Sequence, residues 1–239
     1  MEFKSVVLIL SIHGVVINRD PPTTTTVFRC VGASLSDRHI LTAASCLNDI
    51  PDTHVPAIQV IPATGNPTIH PVARSLRHPD FLETLGLRNN LVILELENDR
   101  RLDTNVFRGQ NIGDLHTGIS CNLHGFNSSM VANPGNIAVT TIGPPACIHD
   151  NDQLFCSTAP SQEICLQIFG GFPLICGEGG TINAITITNC AGPLHEIQYH
   201  NVGQFRSWIE GVVSGAESLK KLSIAVLFST FLISLRNFL

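Results

Sequence analysis

The side chains with chemistry to offer are scattered along this chain. Ten histidines are present. His149 with its neighbours Asp150 and Asp152, together with His195 and His200, would have to converge to build a base with a carboxylate, or a metal site. Neither chemistry has its spacing: there is no H-E-x-x-H run and no Cys/His zinc pattern. No metal and no cofactor is therefore expected, and these groups read as solvated surface residues. In Cys176-Gly-Glu-Gly-Gly180, glycines surround Glu178. A phosphate cradle there would need a helix to follow, whereas Thr181-Ile-Asn-Ala-Ile185 reads as a strand.

Eight cysteines make an even count that fits four disulfides and leaves the pairing open. Four disulfides ask for an oxidising compartment. Asn127-Ser-Ser129 is an acceptor sequon for N-glycosylation, which suits a secreted chain.

Bulk properties narrow the partners. Only 14% of the residues are charged, against roughly a quarter in ordinary soluble domains. The net charge of −5 is spread without a Lys/Arg stripe, so no nucleic acid is expected as a partner. Lys4 precedes an apolar run from Ser5 to Ile17, which reads as the h-region of a secretory signal ending near residue 18 rather than a buried strand. At the other end, Ser214-Gly-Ala-Glu-Ser218 is small and polar, and an apolar run follows from Leu222 to Leu235. That run is shorter than the about 20 residues a spanning helix needs. Residues 214–239 thus read as a glycolipid (GPI) attachment signal, as a tail anchor helped by Lys220, Lys221 and Arg236, or as an amphipathic surface helix.

Between these ends, short β-rich runs alternate with Gly, Pro and Asn turns. Val27-Phe28, Ile40–Thr42, Ala57–Ile61, Leu91–Leu96, Asn122-Leu123, Ile137–Ile142 and Ile182–Thr188 are strand candidates. One helix is expected over Val202 to Val213, where Phe205, Trp208, Ile209 and Val212 recur at helical spacing. Many short strands and one late helix predict an all-β barrel or sandwich.

Cys30-Val-Gly-Ala-Ser-Leu-Ser-Asp-Arg-His-Ile-Leu-Thr-Ala-Ala-Ser45-Cys46 resembles the segment C-G-G-S-L-I-S-x-x-W-V-L-T-A-A-H-C of chymotrypsin-like (trypsin family, S1) serine proteases. The resemblance continues in order through His78-Pro-Asp-Phe81, Asn89-Asn90-Leu-Val-Ile-Leu-Glu-Leu96 and Leu123-His-Gly125-Phe126 after Cys121. Gln153-Leu-Phe-Cys156, Cys165 through Phe172-Pro-Leu-Ile-Cys176, and Ile197-Gln-Tyr199 with Val202, Phe205 and Trp208-Ile209 extend it to about Val213. It implies two packed six-stranded β-barrels with a C-terminal α-helix over residues 27–213. It also implies the bridges Cys30–Cys46, Cys121–Cys176, Cys147–Cys156 and Cys165–Cys190.

The same resemblance implies degenerate chemistry. Acyl transfer in this family needs a nucleophile, an imidazole base, a carboxylate to orient that base, and an oxyanion hole. The base position carries Ser45 and the carboxylate position Asn90. The nucleophile position falls on Gly170 aligned back from Pro173-Leu-Ile-Cys176, or on Phe169 counted forward from Cys165. Aligning Cys-Gly-Glu-Gly-Gly180 instead would put Glu178 there and leave the Pro-Leu-Ile-Cys176 match unexplained. No catalytic residue is expected, nor the I-V-G-G-like start that activates the family. Glu163 falls at the base of the specificity pocket, and Ile187 and Ile197 stand where glycines keep its walls open.

What the resemblance implies is an inactive serine protease homologue of a kind abundant in insects, secreted or anchored at the cell surface through its C-terminus. Its expected partners are extracellular proteins, such as active serine proteases or their substrates, bound as regulator, decoy or cofactor in a proteolytic cascade, immunity or reproduction. A purely adhesive surface-anchored module, and a hydrolase with a rewired site, are the competing readings.

Overall fold

A computed structural model describes residues 6–16, 23–48, 50, 58–62, 68–81, 88–97, 102, 111–125, 135–143, 147, 154–166, 168–177, 181–187, 190 and 195–215. The first half is a closed antiparallel barrel of six strands: β1 (Val6–Val16), β2 (Thr23–Ser34), β3 (His39–Thr42), β4 (Ile58–Pro62), β5 (His70–Arg77) and β6 (Val92–Leu96). They close in the order β1-β2-β3-β6-β5-β4. Period-two alternation sorts inside from outside, as in β4, where Ile58 and Val60 are buried and Gln59 and Ile61 are half-buried. Ile40, Val72, Val92, Leu94 and Leu96 complete the barrel core with them. β6 is buried on both faces, Glu95 included. The Glu95 carboxylate is tolerated there because the guanidinium groups of Arg38 and Arg74 both donate to it.

The second half is a six-stranded sheet: β7 (Ser120–Gly125), β8 (Gly135–Thr140), β9 (Leu154–Thr158), β10 (Pro173–Cys176), β11 (Ile182–Thr186) and β12 (Glu196–Asn201), in the order β8-β7-β10-β11-β12-β9. It curls on itself, so Ile142, just past β8, exchanges hydrogen bonds with Cys156 of the far edge strand. Leu123, Val139, Phe172, Leu174, Ala184, Ile197 and Tyr199 fill it. A four-residue helix, α1 (Gln162–Cys165), leads into β10 and is capped by Ser161, whose side chain accepts from the Ile164 N–H.

A third apolar cluster lies between the halves. Ala33, Leu41, Leu91 and Ile93 come from the first barrel, and Ile175, Ile182 and Ile185 from the second sheet. Val202, Phe205, Ile209 and Val212 join them from the C-terminal helical segment. That segment is a 3-10 turn, Val202–Phe205, followed by α2 (Arg206–Val213), rather than one continuous helix. The Asn201 side chain accepts from the Gly203 N–H and tightens the first turn. Each aliphatic side chain fully buried in such a cluster contributes about 1.5–3 kcal/mol, so the seam between the halves is a strong apolar contact.

All four bridges implied by the resemblance are present, and the described residues include no free cysteine. Within the apolar run that also reads as a secretory signal, Val6–Val16 forms β1 in the full-length chain. β1 pairs with β2 from Val6↔Ala33 to Val16↔Thr23 and with β4 from Val7↔Pro62 to Ser11↔Ile58. An apolar, β-branched run of that length suits an h-region and a strand equally, and in the full-length chain it pairs with the edges of β2 and β4. The reading of 214–239 as an anchor lies beyond Gly215, outside the described residues.

Candidate functional site

Ser45 sits on a 3-10 turn, Ala44–Leu47, that follows β3. The turn is fastened at Cys46 to Cys30 of β2 and packs down through buried Ala43 and Ala44. Asn90 comes from the segment entering β6, where Asn89 takes the left-handed conformation at φ 52°, which Asn tolerates better than most residues. The backbone carbonyl of Asn90 accepts from the Ala44 N–H at 3.3 Å, so the two segments are joined before their side chains meet.

The side chains then close on one another. Asn90 Oδ1 accepts from the Ser45 backbone N–H at 2.7 Å, and Asn90 Nδ2 donates to Ser45 Oγ at 3.0 Å. Both residues also reach across to the second half. Ser45 Oγ donates to the Ile187 carbonyl at 3.1 Å, and Asn90 Nδ2 donates to the same oxygen at 3.2 Å. Behind them, the Asn90 backbone N–H donates to Nε2 of His200, a fully buried residue on β12, at 3.1 Å.

The glycine pair before β10 completes the junction. The Gly170 carbonyl accepts from the Val31 N–H at 3.1 Å. A Cβ on Gly170 would meet Cys46 Sγ at 3.2 Å, Ala43 Cβ at 3.4 Å and Cys30 Sγ at 3.4 Å. Gly170 therefore lies against the disulfide that holds the Ser45 turn. Phe169, the other candidate for the nucleophile position, instead packs edge-on against Phe28 with ring centroids 5.0 Å apart. Gly171 must be glycine: its φ is +88°, and a Cβ would fall 1.7 Å from the Val31 carbonyl oxygen. Thr186 fixes this turn, its Oγ1 accepting from the Phe172 N–H at 2.8 Å and donating to the Phe169 carbonyl at 2.6 Å.

The other sequence candidates divide. Ile187 and Ile197 are fully buried, Ile187 at the junction and Ile197 in the core of the second sheet. Glu163 is exposed on the first turn of α1, where a carboxylate is hydrated and favourably placed against the helix dipole. His195, half-buried at φ 50°, precedes β12, and His200 lies five residues on along the same strand, so the two do not converge. His149, Asp150, Asp152, Asn127 and Glu178 lie outside the described residues. Among the described residues no group of three His, Cys, Asp or Glu side chains could hold a metal ion. A surface cavity of about 430 Å³ lies against α2, lined by Leu35, Ile112, Ile209 and Val213 with Arg206 and Glu210; none of Ser45, Asn90, Gly170 or Ile187 lines it.

Perturbed titrations sit away from Ser45. Burial pushes His124 down to about 4. Burial also lowers His39, against the opposing pull of Glu95. Burial raises the Tyr199 phenol far above its ordinary value, while its hydrogen bond with Ser157 at 2.7 Å acts the other way.

Chemically the junction is neutral and self-satisfied. A hydroxyl and an amide hold no proton-accepting group of the strength general-base catalysis needs near neutral pH. Both polar ends of Asn90 and both roles of the Ser45 hydroxyl are occupied by protein partners. The roles of His200 and Thr186 escaped the sequence reading. Each is a polar residue at a buried strand position, a signal visible only once the strands are registered.

A family model described as Trypsin matches residues 17–209. Similar solved structures include kallikrein-related peptidase 10 in a complex with Zn2+, at TM-score 0.63 and 18% identity over 87% of this chain and 95% of that one. The same peptidase in a second structure gives TM-score 0.63 and 19% identity over 86% and 94%. The VesB protease of Vibrio cholerae gives TM-score 0.64 and 16% identity over 88% of this chain and 64% of that one. No curated protein sequence matches the chain.

Proposed function

The chain belongs to the trypsin family, and from that premise we propose that it acts by binding other proteins rather than by cleaving them. One observation carries the reading: Ser45 and Asn90 meet at the barrel junction and commit their polar atoms to each other and to the Ile187 carbonyl, while Gly170, against the Cys30–Cys46 disulfide, carries no side chain. The mechanism of the family needs an imidazole, a carboxylate and a nucleophilic hydroxyl in mutual reach. Loss of one member already costs orders of magnitude, and such losses do not add simply. The proposed setting is extracellular, which four disulfides fit, either in solution or at the cell surface through the C-terminal tail.

The proposed role is that of a regulator, decoy or cofactor in an extracellular proteolytic system. The binding surface would lie on the loops around the junction, where connecting segments are free to vary. Its test is affinity capture by the folded, disulfide-bonded chain from extracellular fluid, with the retained proteins identified by mass. Recovery of active serine proteases, their inhibitors or their substrates supports the role. Recovery of unrelated surface proteins alone contradicts it and favours an adhesive module.

A further inference from the structure

We infer that His200 makes the junction between the two halves an acid-sensitive latch: protonating its imidazole breaks the bond to Asn90 and loosens the seam around Ser45. The inference stands apart from the binding role and holds whether or not that role is correct.

The geometry sets the chemistry. The Asn90 backbone N–H has only a proton to give, so His200 Nε2 must accept it. Nε2 can accept only in the neutral imidazole, with the ring proton on Nδ1. Adding a proton turns the acceptor into a donor aimed at another donor, 3.1 Å away. Both residues are fully buried, so the lost bond is not replaced by water unless the halves part.

The bond also spans the seam. His200 belongs to β12 of the second sheet, and Asn90 to the entry of β6 in the first barrel. Asn90 in turn positions Ser45 and both contacts to Ile187. Losing its backbone bond therefore bears on every polar contact at the junction except that between Val31 and Gly170.

The described neighbours of His200 are mostly apolar. His200 is fully buried, and burial disfavours a charge. Phe205, on the 3-10 turn before α2, meets the His200 ring edge-on at 5.4 Å. His78, from the segment after β5, packs edge-on against the same Phe205 ring at 5.2 Å. Strand partners Leu154 of β9 and Ile185 of β11 bring no charge. On the Asn90 segment the charged neighbour is exposed Arg88. On β12 itself Glu196 lies four residues earlier, roughly 13 Å along the strand, and is engaged by Gln198.

The test is amide hydrogen exchange on the intact, disulfide-bonded protein between pH 7 and 5, corrected for intrinsic exchange. Below the ordinary histidine value of about 6.5, protection of the Asn90 amide should fall by up to about tenfold per pH unit. That fall should exceed the one at the Leu123 amide inside the second sheet. In His200→Gln the side-chain carbonyl can accept from Asn90 and gains no proton, so the excess fall should vanish. In His78→Gln it should persist. Parallel loss at Asn90 and Leu123 in the unmodified protein overturns the inference, as does an unchanged excess in His200→Gln. Nitrogen NMR of the unmodified protein tests it without any variant. Nε2 should be unprotonated at pH 7; Nε2–H at pH 7 contradicts the latch.

Discussion

Asn90 holds Ser45 at both ends, accepting from its backbone N–H at 2.7 Å and donating to its hydroxyl at 3.0 Å. This pairing makes the centre of the molecule a structural joint. The same two residues reach the Ile187 carbonyl, so one backbone oxygen of the second half receives two donors from the first.

Asn90→Leu should therefore destabilise the fold by about 2–4 kcal/mol, because the Ser45 N–H loses its acceptor inside the junction. Asn90→Asp is the sharper probe. It keeps the acceptor for Ser45 and turns the Nδ2 donor into an oxygen facing the Ile187 carbonyl 3.2 Å away. Burial and that carbonyl favour the protonated acid, so the variant should be closest to the parent at low pH and lose ground as pH rises past about 4. Urea denaturation at a series of pH values measures both effects.

Gly170→Ser should fold with little loss. Its Cβ would sit 3.2 Å from Cys46 Sγ and 3.4 Å from Ala43 Cβ, close enough to need a shift of a few tenths of an ångström. On the binding-only account it should also stay without hydrolytic activity, as should Ser45→His alone. Each restores one group of a set that functions together. Turnover in either single variant would contradict the account.

Removing the Cys30–Cys46 bridge as a double Cys→Ala variant should cost about 2–4 kcal/mol. It should also raise exchange at the Val31 amide, which donates to Gly170 beside that bridge. Thermal unfolding and residue-resolved exchange check the two parts separately.

If Val6–Val16 is retained as a strand rather than cleaved as a secretory signal, a chain lacking residues 1–18 should fail to form the closed first barrel. β1 is hydrogen-bonded to both β2 and β4, so its removal leaves two long unpaired edges. Self-association in sedimentation and loss of protection in β4 are the expected readouts. A monomeric, fully protected truncated chain is the result expected of a cleaved secretory signal.

Acid should weaken the whole fold between about pH 6.5 and 4. His124 is buried and lowered to about 4, so the unfolded chain binds a proton in that window that the folded chain excludes. Its contribution is fully present above pH 6.5 and is lost as pH falls through 4. His39, lowered by burial, acts in the same direction. His124→Gln should flatten the stability curve in that window, read by denaturant midpoints.

Much of this was legible in the sequence because cysteines and turn motifs constrain the fold whatever the junction does. The Cys30-to-Cys46 segment, the Pro173-Leu-Ile-Cys176 strand and the Trp208-Ile209 helix each carried family spacing, and all four bridges followed from it. β5, β9, β10 and β12 were not named as strands. In His70-Pro-Val-Ala-Arg-Ser-Leu-Arg77, for example, polar residues interrupt the apolar run, and pairing with β6 supplies what propensity lacks. The Val6–Val16 run is ambiguous in sequence because an apolar run carries no mark of whether it is a leader or meets two strand edges. The exposure of Glu163 is not legible in sequence, because a residue two positions from a cysteine can face either way; the turn of α1 sends it outward. His200 was seen only as a dispersed histidine, since its partner lies 110 residues away in the chain.

The most direct measurement is reaction of the purified, disulfide-bonded protein with a fluorophosphonate serine probe, beside its turnover of a panel of peptide and ester substrates. The account predicts no labelled protein and turnover at the buffer rate, unchanged from pH 6 to 9. Stoichiometric labelling, or turnover that co-purifies with the folded chain and is abolished by the probe, would contradict it.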